Sequence, residues 1–130
     1  MTSGAGVRVR EATPSELPAV LNVLDGGGLA TDYARIERAL AAGDVVVAVA
    51  GHAGREERVL GALVLCGAEI TAVAVRRRRR AQGIGTALVE AADDRRQRLL
   101  AEFDDRVHPF WASLGFETRR LGDNRHRGQR

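Results

Sequence analysis

The segment from Glu69 to Leu88 constrains the fold of this chain more than any other. It opens with Glu69-Ile70-Thr71-Ala72-Val73-Ala74-Val75, whose β-branched and apolar residues suit a strand. Five consecutive arginines, Arg76 to Arg80, come next, followed by Ala81-Gln82-Gly83-Ile84-Gly85. From there Ile84, Ala87, Leu88, Ala91 and Ala92 recur at helical spacing. A strand therefore feeds a glycine turn that opens a helix. The first N–H groups of such a helix have no internal partners, and its dipole favours an anion there. Gly83 and Gly85 carry no Cβ, so a ligand can approach the backbone closely. With arginines alongside, a diphosphate is the natural guest. The turn is not G-x-x-x-x-G-K-[ST], because the chain has no lysine, and it is not G-x-G-x-x-G.

The remaining elements can be read around this segment. Val7 and Val9 alternate with arginines, which predicts a short first strand. Thr13-Pro14-Ser15-Glu16 is a helix start, with Leu17, Val20, Leu21 and Leu24 on one face. Asp25 to Gly28 ends that helix in a loop, and Thr31 or Asp32 caps a second helix that Gly43 stops. Val45 to Ala50 and Val59 to Cys66 predict buried strands, with Cys66 as a small buried member, and His52 to Glu57 predicts the loop between them. Leu99 to Phe103 predicts a strand, Pro109 to Leu114 a short helix, and Gly115 to Leu121 the last strand. The order β-α-α-β-β-β-α-β-α-β implies an α+β, or mixed α/β, layer arrangement. A length of 130 residues suits a single domain over 1–130, with residues 1–6 and about 123–130 expected to be flexible.

Composition narrows the class. Apolar residues at 45% and charged residues at 28% exclude disorder over the whole length. The longest apolar stretch, Val59 to Ala68, is about half of the roughly 20 residues a membrane span needs. Met1 to Gly6 has no basic segment followed by an apolar run, so no signal peptide is expected. The single cysteine cannot form an intrachain disulfide, and together these features point to the cytoplasm. All 20 basic residues are arginine, giving a net charge of +3. Nucleic acid is one reading of the arginine block, but no aromatic residues interleave with it to stack bases.

Arg80-Ala81-Gln82-Gly83-Ile84-Gly85 resembles the R/Q-x-x-G-x-G/A signature of the GNAT superfamily of acyl-CoA-dependent N-acyltransferases. Phe110-Trp111-Ala112-Ser113-Leu114-Gly115-Phe116 is similar to that family's F-Y-x-x-L-G-F segment, and the element order is similar across nearly the whole chain. The resemblance implies a central, mostly antiparallel sheet of about six strands flanked by helices. It implies that acetyl-CoA is the co-substrate, with no metal. The backbone from Ala81 through Thr86, that is Ala81, Gln82, Gly83, Ile84, Gly85 and Thr86, would hold the pyrophosphate, with Arg80 adding charge. Val73 and Val75 would pair with the pantetheine arm, and Phe110 and Trp111 would join the cofactor contacts. The Val73 N–H would serve as oxyanion donor.

Glu69 is the candidate general base, at the spacing from Arg80 that the resemblance implies, and simple strand alternation sets it on one face with Thr71 and Val73. The alternative for Glu69 is a solvated strand end. Trp111 departs from the family's tyrosine, and an indole cannot act as a proton donor near neutral pH. Tyr33 and His108 are the other candidate acids. The expected activity is transfer of acetyl to a primary amine of a small-molecule or peptide acceptor by direct attack. An acyl-CoA-binding module with little catalysis is the alternative. Gly122 to Arg127 makes a poor strand, and an uncovered sheet edge would invite pairing with a second copy of the chain.

Overall fold

Val45–Ala50 is apolar at every position because both of its sides are covered. Val45, Val47 and Val49 pack against Val20, Val23 and Leu24 of one helix and Ile36, Ala39 and Leu40 of the next. Val46 and Ala48 face the other way, onto Leu88, Val89 and Ala92. The strand is the middle of a three-layer sandwich, with helices on both faces of one sheet. The computed structural model describes residues 6–26, 32–51 and 57–130.

In chain order the elements are β1 (Val7–Glu11), α1 (Leu17–Gly26), α2 (Tyr33–Ala41), β2 (Val45–Ala50), β3 (Arg58–Cys66), β4 (Glu69–Val75), α3 (Ile84–Arg95), β5 (Leu100–Asp104), α4 (His108–Ser113), β6 (Glu117–Arg120) and β7 (Arg125–Gln129). The expected mixed α+β arrangement is observed. The Thr13–Glu16 start signal forms a 3-10 turn, Pro14–Glu16, that leads into α1. There Glu16 accepts a bond from the Thr13 N–H at 2.9 Å and two from Arg10, at 2.9 and 2.7 Å. Asp32 caps α2 by accepting the Arg35 N–H at 3.1 Å, while Thr31 and most of the two expected loops lie outside the described residues. Cys66 is exposed at the end of β3, not buried as expected, because it sits beside the Gly67 turn.

The sheet has seven strands in the order β1-β2-β3-β4-β5-β7-β6. That is one more than the sequence suggests, and residues 125–129, expected to be flexible, form the extra one. β7 lies between β5 and β6 and pairs antiparallel with both. Its buried positions are His126 and Gly128 rather than aliphatic residues. A Cβ on Gly128 would stand 3.2 Å from the Phe103 ring. His126 stacks on Phe103, with ring centroids 5.7 Å apart, and bonds to Asp105 at 2.6 Å. The last strand, whose absence would leave an edge uncovered, is thus present. The outer strand there is β6, which is four residues long and carries Glu117, Arg119 and Arg120, features that resist edge pairing.

The His126 ring holds the Asp105 carboxyl below the ordinary carboxylate range. A depressed carboxyl contributes stability fully above its unfolded value and loses it as pH falls through the folded one. Asp105→Asn should therefore lower the urea midpoint at neutral pH, and the gap to the wild-type protein should close below about pH 3.8. A gap that stays constant down to pH 2 would show that the pair does not hold β7.

Candidate active site

Two strands that run parallel part company at the centre of the sheet. β4 and β5 pair only at Glu69 with Leu100 and at Ile70 with Ala101. Beyond Ile70, β4 follows its antiparallel partner β3, whereas β5 pairs along its whole length with β7. A cleft of about 820 Å³ opens at the parting and runs to the start of α3.

The register of β4 decides what faces this cleft. Ile70 pairs with Leu65 and Ala72 with Val64, so Thr71 is an extra residue, a β-bulge. Its hydroxyl donates to the Val64 carbonyl at 3.2 Å, which ties the bulge to β3. Ile70, Val73 and Val75 consequently share the α3 layer, while Ala72 and Ala74 face α1 and α2. Uniform alternation along β4 is thus corrected: Glu69, opposite in parity to Ile70, lies on the α1 face, and Val73 does not. Past the bulge, the Arg76 N–H donates to the Leu60 carbonyl at 2.8 Å. Antiparallel pairs alternate between bonded and unbonded, so the backbone groups of Val73 and Val75 point away from β3 and into the gap.

The turn after β4 is built from unusual backbone. Ala81 has φ +62° and Gly83 φ +82°, both left-handed. The first helical bond of α3 runs from the Ala87 N–H to the Gly83 carbonyl, leaving the N–H groups of Ile84, Gly85 and Thr86 outside the ladder. Among the described residues, and apart from its chain neighbours, nothing lies within 4 Å of where a Gly83 Cβ would stand. A Gly85 Cβ, by contrast, would meet the Phe110 ring at 3.3 Å, so Gly85 lets α4 close against α3.

The five arginines divide by task. Arg76 donates to the Val59 carbonyl at 2.7 Å and to Asn22 at 2.8 Å, fastening β3 and α1. Arg80 donates to the Val75 carbonyl at 3.1 Å and lines the cleft. Arg79 also lines it, and its buried Nε has no partner. Arg77 and Arg78 are exposed and lie off the cleft wall.

The structure brings Val73, Val75, Arg80, Ala81, Gly83, Ile84, Gly85, Thr86, Phe110 and Trp111 together on the cleft wall. Gln82 is exposed beside the turn, with its side chain 3.5 Å from the Arg78 carbonyl. Trp111 is buried to 4% exposure and stacks on Phe103 at 5.4 Å, so it is chiefly a packing residue. Tyr33 is exposed at the start of α2, and His108 bonds to Thr118 at 2.9 Å away from the cleft. Glu69 is exposed at the closed end and does not line the cleft. The sequence reading missed Arg79, Glu102, Asp104, Arg106 and Arg125, which do. Alternation in Leu100-Ala101-Glu102-Phe103-Asp104 predicts that the two acids share a face, but nothing local predicts that this face borders β4. The Arg106 N–H, and then its guanidinium, hold the Asp104 carboxyl below the ordinary range.

A family model described as an acetyltransferase (GNAT) domain matches residues 37–118. The chain belongs to the GNAT acetyltransferase family. It is thus an acetyl-CoA-dependent N-acetyltransferase by class. No curated protein matches it by sequence. Among solved structures, Ard1 from Thermoplasma volcanium is similar over 96% of this chain and 97% of its own, with a TM-score of 0.75 at 19% identity. The paiA N-acetyltransferase from Thermoplasma acidophilum, in complex with coenzyme A, covers 96% of this chain and 98% of its own, with a TM-score of 0.73 at 9% identity. Rv2747 from Mycobacterium tuberculosis, also in complex with CoA, covers 92% and 97%, with a TM-score of 0.67 at 22% identity. At these identities the likeness is one of fold. The residues present here fit an acyl-CoA: backbone groups turned into the gap, an open space over Gly83 and an orphaned Arg79 Nε.

Gly83→Val should abolish CoA binding, though its left-handed φ also strains a β-branched residue. Gly83→Asn tolerates that φ and still fills the space. Unchanged calorimetric affinity in a folded Gly83→Asn protein would move the pyrophosphate elsewhere. Arg80→Ala should weaken CoA binding more than Arg77→Ala, and equal losses would mean that the block acts as a diffuse field.

Proposed function

We propose that this protein transfers the acetyl group of acetyl-CoA to a primary amine of a small-molecule or peptide acceptor by direct attack, and that it works in the cytoplasm. The observation that carries the reading is the gap between β4 and β5, into which Val73 and Val75 turn their backbone groups. An extended pantetheine arm can pair there as an added strand would. The N–H groups from Ala81 to Thr86, with Arg79 and Arg80, would receive the pyrophosphate. The bound thioester supplies an activated acyl group. The Val73 N–H would donate to its carbonyl oxygen and stabilise the charge that develops there.

An amine near pKa 10 is mostly protonated at neutral pH, so a proton acceptor raises the reactive fraction. A carboxylate within reach of the amine would take that proton; the sequence nominates Glu69, which lies off the cleft wall. Trp111 cannot protonate the leaving sulfur. With a thiol pKa near 8.5, about that of an ordinary cysteine, departure as thiolate is feasible without an acid.

Thiol release in the presence of a panel of primary amines tests this reading. At least one amine should give release above the hydrolytic background. Tight CoA binding with no release on any amine would leave an acyl-CoA-binding module.

A further inference from the structure

We propose that Glu102 of β5, rather than Glu69, accepts the proton of the attacking amine. The inference rests on the acetyl-transfer reading and deepens it. Ala101 is the last β5 residue paired with β4, so Glu102 is the first to stand free at the apex of the gap. Ala101 and Phe103 pack in the α3 layer, which turns Glu102 to the opposite face, alongside Ala72. Counting from the Ile70–Ala101 pair and allowing for the bulge, Glu102 lies within one residue of Val73 along the strands. The Val73 N–H and the Glu102 carboxylate thus approach the apex together, the first from the backbone of β4 and the second from the face that α1 and α2 leave open. Among the described residues, none of the buried ones under those helices comes from β5, β6 or β7.

The carboxylate is also held. Arg127, its direct partner across β7, donates to it at 3.1 Å, and Arg125 stands 3.9 Å away. Asp104 shares the face but lies farther along β5 from the apex at the Ile70–Ala101 pair. Glu69 is beside Leu100 at the closed end, outside the cleft.

In the step assigned to Glu102, the amine nitrogen bonds to the acetyl carbon and the carbon–sulfur bond breaks. The thiolate leaves with the electron pair. The nitrogen's surplus proton passes to the Glu102 carboxylate, directly or through one water, and from there to solvent.

Paired variants test the assignment. Glu102→Gln should keep CoA affinity by calorimetry and lower kcat by about 10²–10⁴-fold, the range for a positioned base. It should also lose the carboxylate limb of the pH–rate profile. Glu102→Asp, which keeps the charge one methylene back, should recover part of the rate. Glu69→Gln should change turnover only by a small factor. Near-normal turnover and an unchanged profile in Glu102→Gln overturn the proposal while acetyl transfer stands. The reverse pattern, with Glu69→Gln inactive, returns the role to Glu69. No thiol release from any amine by the wild-type protein overturns this proposal and the acetyl-transfer reading together.

Discussion

The parting of β4 from β5 rests on hydrogen bonding that each strand finds elsewhere. A strand in the middle of a sheet normally satisfies its backbone on both sides, and leaving one side open carries a cost. Here β4 continues along β3 and β5 along β7, and the two diverge past Ile70. The layers reinforce the division. Leu88 and Ile84 of α3 approach the open position at Gly61 on β3, and Trp111 of α4 stacks on Phe103 of β5.

That dependence gives β7 an importance out of proportion to its sequence. Arg125-His126-Arg127-Gly128-Gln129 has no aliphatic residue, so periodicity of hydrophobic side chains cannot reveal it. Its stability comes from two ladders of backbone bonds, a histidine stacked on Phe103 and a glycine pressed against two phenylalanines. All of these depend on residues distant in sequence. The helices and β2 to β4, by contrast, were legible because their apolar residues repeat at spacings set by local geometry.

The candidate site divides in the same way. The turn from Arg80 to Thr86 could be read directly, since glycine positions and a helix start are local facts. Arg80 stood out through its place in the signature, but Arg79 did not: it looks like Arg77 and Arg78 in sequence and differs only in lining the cleft. The bulge at Thr71 was invisible for another reason. A strand inserts one residue without any change in composition, and every face assignment before it then reverses relative to those after it. Glu69 was therefore set on the wrong side of its strand relative to Val73, and Glu102 was overlooked because its importance depends on a neighbour thirty residues away.

The cleft's cationic rim, formed by Arg79, Arg80, Arg106 and Arg125, consists wholly of guanidinium groups. A guanidinium stays protonated throughout the physiological range and offers no free electron pair to a thioester, whereas a lysine amine of lowered pKa does. Arginine therefore supplies the charge that draws a polyanion without itself becoming an acyl acceptor. With no lysine anywhere in the chain, this holds for every permanently charged cationic side chain as well as for those at the cleft. The protein can hold a reactive acyl donor against its own cationic wall without side-chain self-modification there.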